Sequence, residues 1–290
     1  MDKPDFKSKD ELYDYLEDKA WTIREKVIWL TGMAGGSHLG GGLSMADIMA
    51  VLYFYTMNYK VEQPKWPERD RFILSKGHGA VCLCPTLSMA GFFEESFLDG
   101  FNHFGSACGM HPDAKKIPGV EVSTGSLGHG LSIAVGMGLA ARLDKASWRT
   151  FVLMGDGELQ EGLIWEGAMA AAHYKLGNIV GIVDRNGLEI DGTTEDIMAL
   201  EPLTDKWQSF GWEPHVIDGN SVPELVAAFD ALPGADTETP QVIIANTVKG
   251  KGVLDIEGQT KWHYGGLDED TEKEFIEALK KSRPQPRRVS

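Results

Sequence analysis

The sequence predicts an α/β fold, a doubly wound and mostly parallel sheet with helices on both faces. Two observations carry this. At least five short apolar runs alternate with segments of helical period along the chain. The stretch from Phe151 to Gly192, FVLMGDGELQEGLIWEGAMAAAHYKLGNIVGIVDRNGLEIDG, reads in addition as strand, helix, strand, with a polar turn after each strand. Phe151 to Met154 stops at Gly155-Asp156-Gly157, and Ile179 to Val183 stops at Asp184-Arg185-Asn186-Gly187. Leu163, Trp165, Met169, Ala170 and Tyr174 give the intervening helix its apolar face. The unit is therefore a right-handed crossover between parallel strands, with both turns on one edge. Ligands of such sheets sit beyond the carboxyl ends of the strands, where Asp156 and Asn186 fall.

The remaining elements follow in order. Residues 8 to 30 have a helical spacing of Leu12, Leu16, Ile23, Val27 and Leu30, with Ser8 as cap and a stop at Gly32. A Gly-rich loop around Ser37-His38 comes next, then Ser44 to Asp47 as a capping box that opens a helix to about Met57. Asp70 to Ser75 is a strand, and Lys76-Gly77-His78-Gly79 leads from it into an apolar helix ending near Ala90. Residues 99 to 120 are irregular, with His103 and His111. Ser123 to Gly130 is a third Gly-rich turn, before a helix over Leu131 to Leu143. Past the crossover unit come a helix at Leu203 to Phe210, a strand at Glu213 to Ile217, a helix from Ser221 to about Leu232 and a buried strand at Gln241 to Val248. The Lys-Gly-Lys-Gly turn at 249–252 and Trp262-His263 precede a basic, solvated tail at about 280–290.

Composition narrows the function classes. The chain has 290 residues, enough for one large domain, and no break in composition divides it. Its 43 acidic and 28 basic residues give a formal charge of −15, which disfavours nucleic acid or an anionic membrane as a partner. Neither a signal peptide nor an apolar run long enough for a membrane span is found, so a cytoplasmic location is expected. Cys82, Cys84 and Cys108 read as reduced structural thiols.

The two strand-end turns suggest a ligand chemistry. Asp156 offers a carboxylate and Asn186 an amide oxygen, both hard donors, beside glycines that admit close backbone approach. They are too few for an all-protein cage and suit Mg²⁺ held jointly with a diphosphate. Either turn alone is ordinary. It is their pairing after two apolar strands that points to a site.

A set of motifs in chain order then carries a resemblance: GSHLGG, DRFILSKGHG, MHPD, STGSLGHG, GDGELQEG, DRNGLEIDG, KGKG and WH, spread over about residues 15 to 265. This set resembles transketolase, a thiamin diphosphate-dependent family. The resemblance implies that Asp156, Asn186 and the Leu188 carbonyl bind a divalent metal. It implies contacts to thiamin diphosphate from His78, Gly125, Ser126, Leu127, Gly157, Asn186 and His263. His38 and His263 would act on sugar hydroxyls beside the scissile bond, His111 would lie near a terminal hydroxyl, and Glu161 would link paired cofactors at a subunit interface. Leu39 stands where the family has proline, Ser126 likewise, and Tyr264 where it has a smaller residue. The implied activity is transfer of a two-carbon ketol unit from a ketose phosphate to an aldose. Fused members run to more than twice this length, so the chain resembles the amino-terminal subunit of a split enzyme. Its partner would carry the pyrimidine-binding domain, in an α2β2 assembly. Two alternatives remain: the α subunit of an oxidative 2-oxo-acid decarboxylase, and a non-catalytic cofactor-binding or regulatory subunit.

Overall fold

In the computed structural model, which describes residues 5–287, one five-stranded sheet organises the chain. Its strands are β1 (Arg71–Leu74), β2 (Thr150–Gly155), β3 (Ile179–Arg185), β4 (Glu213–Asp218) and β5 (Gln241–Asn246). They lie in the order β1-β2-β3-β5-β4, and every pairing is parallel. The helices are α1 (Lys9–Met33), α2 (Leu39–Ser44), α3 (Ala46–Val51), α4 (Ala80–Met89), α5 (His129–Leu143), α6 (Gly162–His173), α7 (Thr194–Met198), α8 (Leu203–Ser209), α9 (Val222–Asp230) and α10 (Glu269–Ser282).

Strand alternation splits the apolar residues between two cores. Phe151, Leu153, Val180, Ile182, Ile243 and Ala245 face the core built with α1, α3, α4, α9 and α10. Val152, Met154, Ile179, Val183, Val242 and Ile244 face the one built with α5, α6 and α8. Burial on both faces is why the central strands read as continuous apolar runs. It also leaves their carboxyl ends as one edge, with Gly155 beside Asp184 in register. The expected doubly wound fold is the observed one.

The residues from 33 to 57 differ from expectation. Leu39 to Ser44 form a buried helix, not a loop. Its glycines serve close packing: a Cβ on Gly40 would sit 2.7 Å from the Trp262 carbonyl oxygen, and one on Gly42 would sit 2.8 Å from Val81 Cγ1. No capping box forms at Ser44. Its hydroxyl donates instead to Asp184 Oδ2 at 2.7 Å, and Asp47 is buried in an ion pair with Arg24 that joins α1 to α3. The first helix does begin as read, with Ser8 accepting from the Glu11 amide at 3.2 Å.

At the carboxyl end, α10 is an element the sequence analysis leaves unassigned. Asp268 caps it at the Thr271 amide, 2.8 Å away, and Phe275 and Leu279 are buried. Of the expected tail, residues up to Ser282 are helical, and Arg283 and Arg287 are not merely solvated. They pair with Asp18, and with Asp14 and Glu17, on α1. The last three positions of that tail, 288–290, lie outside the described residues. Among those described, no helix is long and apolar enough to cross a membrane.

Candidate active site

The loops that leave β1, β2, β3 and β5 enclose a cavity of about 330 Å³. A larger groove of about 960 Å³ runs between residues 63–69 and 114–121, yet it gathers no comparable set of titratable groups. The smaller cavity is lined by His38, His78, His111 and His263 together with Asp156, Asn186, Lys76 and Lys249.

A buried ion pair forms the floor. Lys76 Nζ donates to Asp184 Oδ2 at 2.5 Å and to the Gly41 carbonyl at 3.1 Å. The Ser44 and Thr247 hydroxyls donate to the same carboxylate. Burial alone would raise the Asp184 carboxyl, but the ammonium and these hydrogen bonds outweigh it and hold the group below the usual range. Glu158 pins three turns together. It accepts from the Ser75 hydroxyl at 2.5 Å, the Gly128 amide at 2.8 Å and the Gly155 amide at 3.0 Å.

Above this floor, the β2 and β3 turns meet. Asp156, which is buried, accepts from the Gly157 amide at 2.9 Å, the Gly187 amide at 2.5 Å and Arg185 Nη1 at 3.2 Å. Asn186 Oδ1 accepts from the Leu188 amide at 3.2 Å. The Leu188 carbonyl accepts from Lys249 Nζ at 2.9 Å, so a cation is already held against that oxygen. A carboxylate, an amide oxygen and a carbonyl facing positive charge suit a hard divalent ion. Among the described residues no cluster of three or more His, Cys, Asp or Glu could hold one alone.

The imidazoles form the wall. The His38 and His78 ring centroids are 4.8 Å apart, those of His38 and His263 5.5 Å, and those of His78 and His263 5.7 Å. What brings His38 to His263 is a single antiparallel bridge between Ser37 and Gly265, each donating its amide to the other's carbonyl at 3.0 Å. Burial, then His111, Lys76 and Lys249, pushes His38 down to about 4. Burial, then Lys249, pushes His263 down to about 3. His78 is likewise lowered, by burial first and Lys76 second, and His111 by burial. All four rings are neutral near pH 7.

Most of the residues singled out in the sequence therefore converge. Gly125, Leu127 and Gly157 line the cavity, and the His111 ring lies against Gly125, where a Cβ would sit 3.1 Å from it. Two do not line it. Ser126 is exposed, and Glu161 lies at the start of α6 against Gly128. Sequence reasoning missed Lys76, Asp184, Glu158 and the site contacts of Lys249. Lys76 and Lys249 stand in motifs that draw attention for other residues, and only their burial marks them out.

The comparisons with known proteins are in accord with this geometry. Residues 17–284 match the family model described as transketolase, thiamine diphosphate binding domain. The chain is 43% identical over 250 residues to one subunit of the apulose-4-phosphate transketolase of Phocaeicola vulgatus, covering 86% of this chain and 88% of that one. It is 40% identical to the 6-deoxy-6-sulfo-D-fructose transketolase subunit SqwG of a Clostridium species, covering 92% and 96%. Among solved structures, transketolase from Campylobacter jejuni superposes with a TM-score of 0.84 at 28% identity, over 93% of this chain and 43% of that one. The chain thus spans less than half the length of that solved transketolase, while it matches the separate subunits almost end to end. With its parallel sheet, its strand-end acidic turn and its neutral histidine wall, the chain belongs to the transketolase family as a thiamin diphosphate-binding domain.

Proposed function

We propose that this chain is the diphosphate-binding subunit of a two-chain transketolase, which moves a two-carbon ketol unit from a ketose phosphate to an aldose. One observation carries the reading: the Asp156–Asn186 edge and the neutral histidines open into the same cavity. Asp156, Asn186 and the Leu188 carbonyl are the donors for Mg²⁺. Gly157, His78, Asn186 and His263 would hold thiamin diphosphate, with Gly125, Ser126 and Leu127 contributing backbone beside its ring; the exposed Ser126 side chain suits that. When bound, thiamin diphosphate supplies the electron sink, and Mg²⁺ neutralises its phosphates.

The chain's own groups supply binding and proton traffic. His38 and His263 face the sugar hydroxyls beside the bond that breaks, and His111, at the outer rim, faces a terminal hydroxyl. Glu161, outside the cavity at the start of α6, is assigned to contact between paired cofactor sites in an α2β2 assembly. The partner chain brings the pyrimidine-binding domain. The acidic surface and the three buried free cysteines suit a cytoplasmic enzyme. Four imidazoles around one cavity favour sugar chemistry over the oxidative decarboxylase reading.

The test is Asp156→Ala, assayed by calorimetry with thiamin diphosphate and Mg²⁺ in the presence of the partner chain. Metal-dependent cofactor affinity should be lost while the far-ultraviolet spectrum is kept. An affinity equal to that of the unaltered chain sinks the metal assignment.

A further inference from the structure

A neutral imidazole carries one N–H, and the partner of one nitrogen decides what the other can do. Among the described residues His38 and His263 each have a single polar contact, and the two contacts are of opposite kind. His263 Nδ1 lies 2.8 Å from Lys249 Nζ. Burial, then Lys76, pushes Lys249 down to about 8, which leaves it an ammonium near pH 7; an ammonium has hydrogens and no lone pair, and this one also donates to the Leu188 carbonyl, so Nδ1 accepts. The ring proton of His263 is then on Nε2. His38 Nδ1 lies 3.3 Å from the Met110 sulfur. A thioether has a lone pair and no hydrogen, so the contact is a hydrogen bond only when Nδ1 carries the proton, which leaves Nε2 bare.

We infer that the two rings are held in opposite tautomers, with His38 presenting Nε2 as a proton acceptor and His263 presenting Nε2–H as a donor. Lys249 and Met110 are the positioning residues. Burial and the nearby ammonium groups keep both rings neutral, so neither falls back on a doubly protonated form. The rings stand nearly edge to face, 80° apart. No other ring nitrogen contact competes for either histidine among the described residues.

The tautomers need nothing bound; their catalytic meaning rests on the ketol-transfer reading. There the proton of a sugar hydroxyl passes to His38 Nε2, giving an imidazolium that keeps its Nδ1–H on Met110. A sugar oxygen facing His263 receives a hydrogen bond and gives up no proton. The two histidines therefore divide the work, although sequence alone makes them equivalent.

The full chain, labelled with ¹⁵N-histidine, is examined near neutral pH by two-bond ¹H–¹⁵N correlation, with His38→Gln and His263→Gln used to assign the signals. The unaltered chain should show the Nδ1–H pattern for His38 and the Nε2–H pattern for His263. Met110→Leu should move His38 away from Nδ1–H and leave His263 alone. Lys249→Met should average the two His263 nitrogens, and Lys249→Arg, another pure donor, should restore the separation. An Nε2–H pattern for His38 in the unaltered chain, or ring signals indifferent to both substitutions, overturns the assignment. If Lys249→Met does not fold, the unaltered chain and Met110→Leu decide. The readout requires no turnover: tautomers as stated in a chain whose two-subunit complex transfers no ketol unit would uphold the assignment and remove the transferase reading.

Discussion

Asp156 and Asn186 are legible in the sequence because each ends an apolar strand, and position after a strand is a local property. Lys76, Asp184 and Lys249 are not, since their importance lies in being buried, which only the assembled fold decides. Asp184 follows Ile179 to Val183 and reads as the first turn residue, yet it is fully buried against Lys76. Removing one member of such a pair strands the other charge away from water. The histidines are visible in the sequence, but not their lowered basicity, which comes from burial beside two ammonium groups. That lowering fixes a sign. The folded values, about 4 for His38 and about 3 for His263, lie below the unfolded value of about 6.5. Their stability contribution is whole above that unfolded value and is lost as pH falls through the folded ones, because the unfolded chain binds protons first. Urea titrations across this window should show stability falling with pH, and His38→Gln or His263→Gln should flatten the slope. Each ring is partly open to water, so the flattening stays short of about one proton per ring. A slope unchanged by both substitutions would contradict the neutral wall.

At the scale of elements, periodicity locates most of the segments around the sheet because apolar side chains display it. In Leu39 to Ser44 three consecutive glycines have nothing to display, and low helix propensity argues for a loop. Packing overrides that propensity: α2 runs between Val27, Val81 and the Trp262 backbone with no room for a Cβ at Gly40 or Gly42. The helix thereby sets where Trp262, and so His263, can sit. Gly40→Ala should gain a little helix propensity and lose more to overpacking, about 1–3 kcal/mol net loss. Because the obstructed atom is the Trp262 carbonyl, cofactor affinity should fall further than stability does. Denaturation and calorimetry on one preparation check this, and a variant with full affinity would mean that the 260–265 segment yields without cost. The helix α10 is readable, with Asp268 as cap and Phe275 and Leu279 one turn apart, but its many charges resemble a solvated tail.

For the molecule as a whole, the fold class and the site's location follow from strand order, while the closing of the cavity does not. The cavity gathers four imidazoles beside Asp156 and Asn186; in the proposed reading these supply the diphosphate half-site and the metal donors, and the group that activates the pyrimidine ring is assigned to the proposed partner. Ile190, Ile197 and Met198 are exposed on the segment beyond β3, and Ile190 lines the cavity. Exposed apolar side chains suit an interaction surface, which the proposed partner would cover. The purified chain with Mg²⁺, thiamin diphosphate, a ketose phosphate and an aldose should be inactive, and the partner chain should restore turnover. Full activity from the single chain would place the ring-activating group within these residues and end the two-chain reading.

The Ser37–Gly265 bridge also sets an order of events during synthesis. It joins an early loop of the chain to a segment made after the last strand, so β1 to β5 and the other three histidines of the wall are all made before His263 is. Contacts between segments this far apart in sequence form late, because closing the intervening loop costs entropy before anything rewards it. The nascent chain can thus complete the core built with α5, α6 and α8, all of whose buried members precede Gly265, while its chemistry stays unassembled. Pulsed hydrogen exchange during refolding tests the order. The Ser37 and Gly265 amides should become protected after those of β2 and β3, and simultaneous protection would show that the bridge belongs to the folding nucleus.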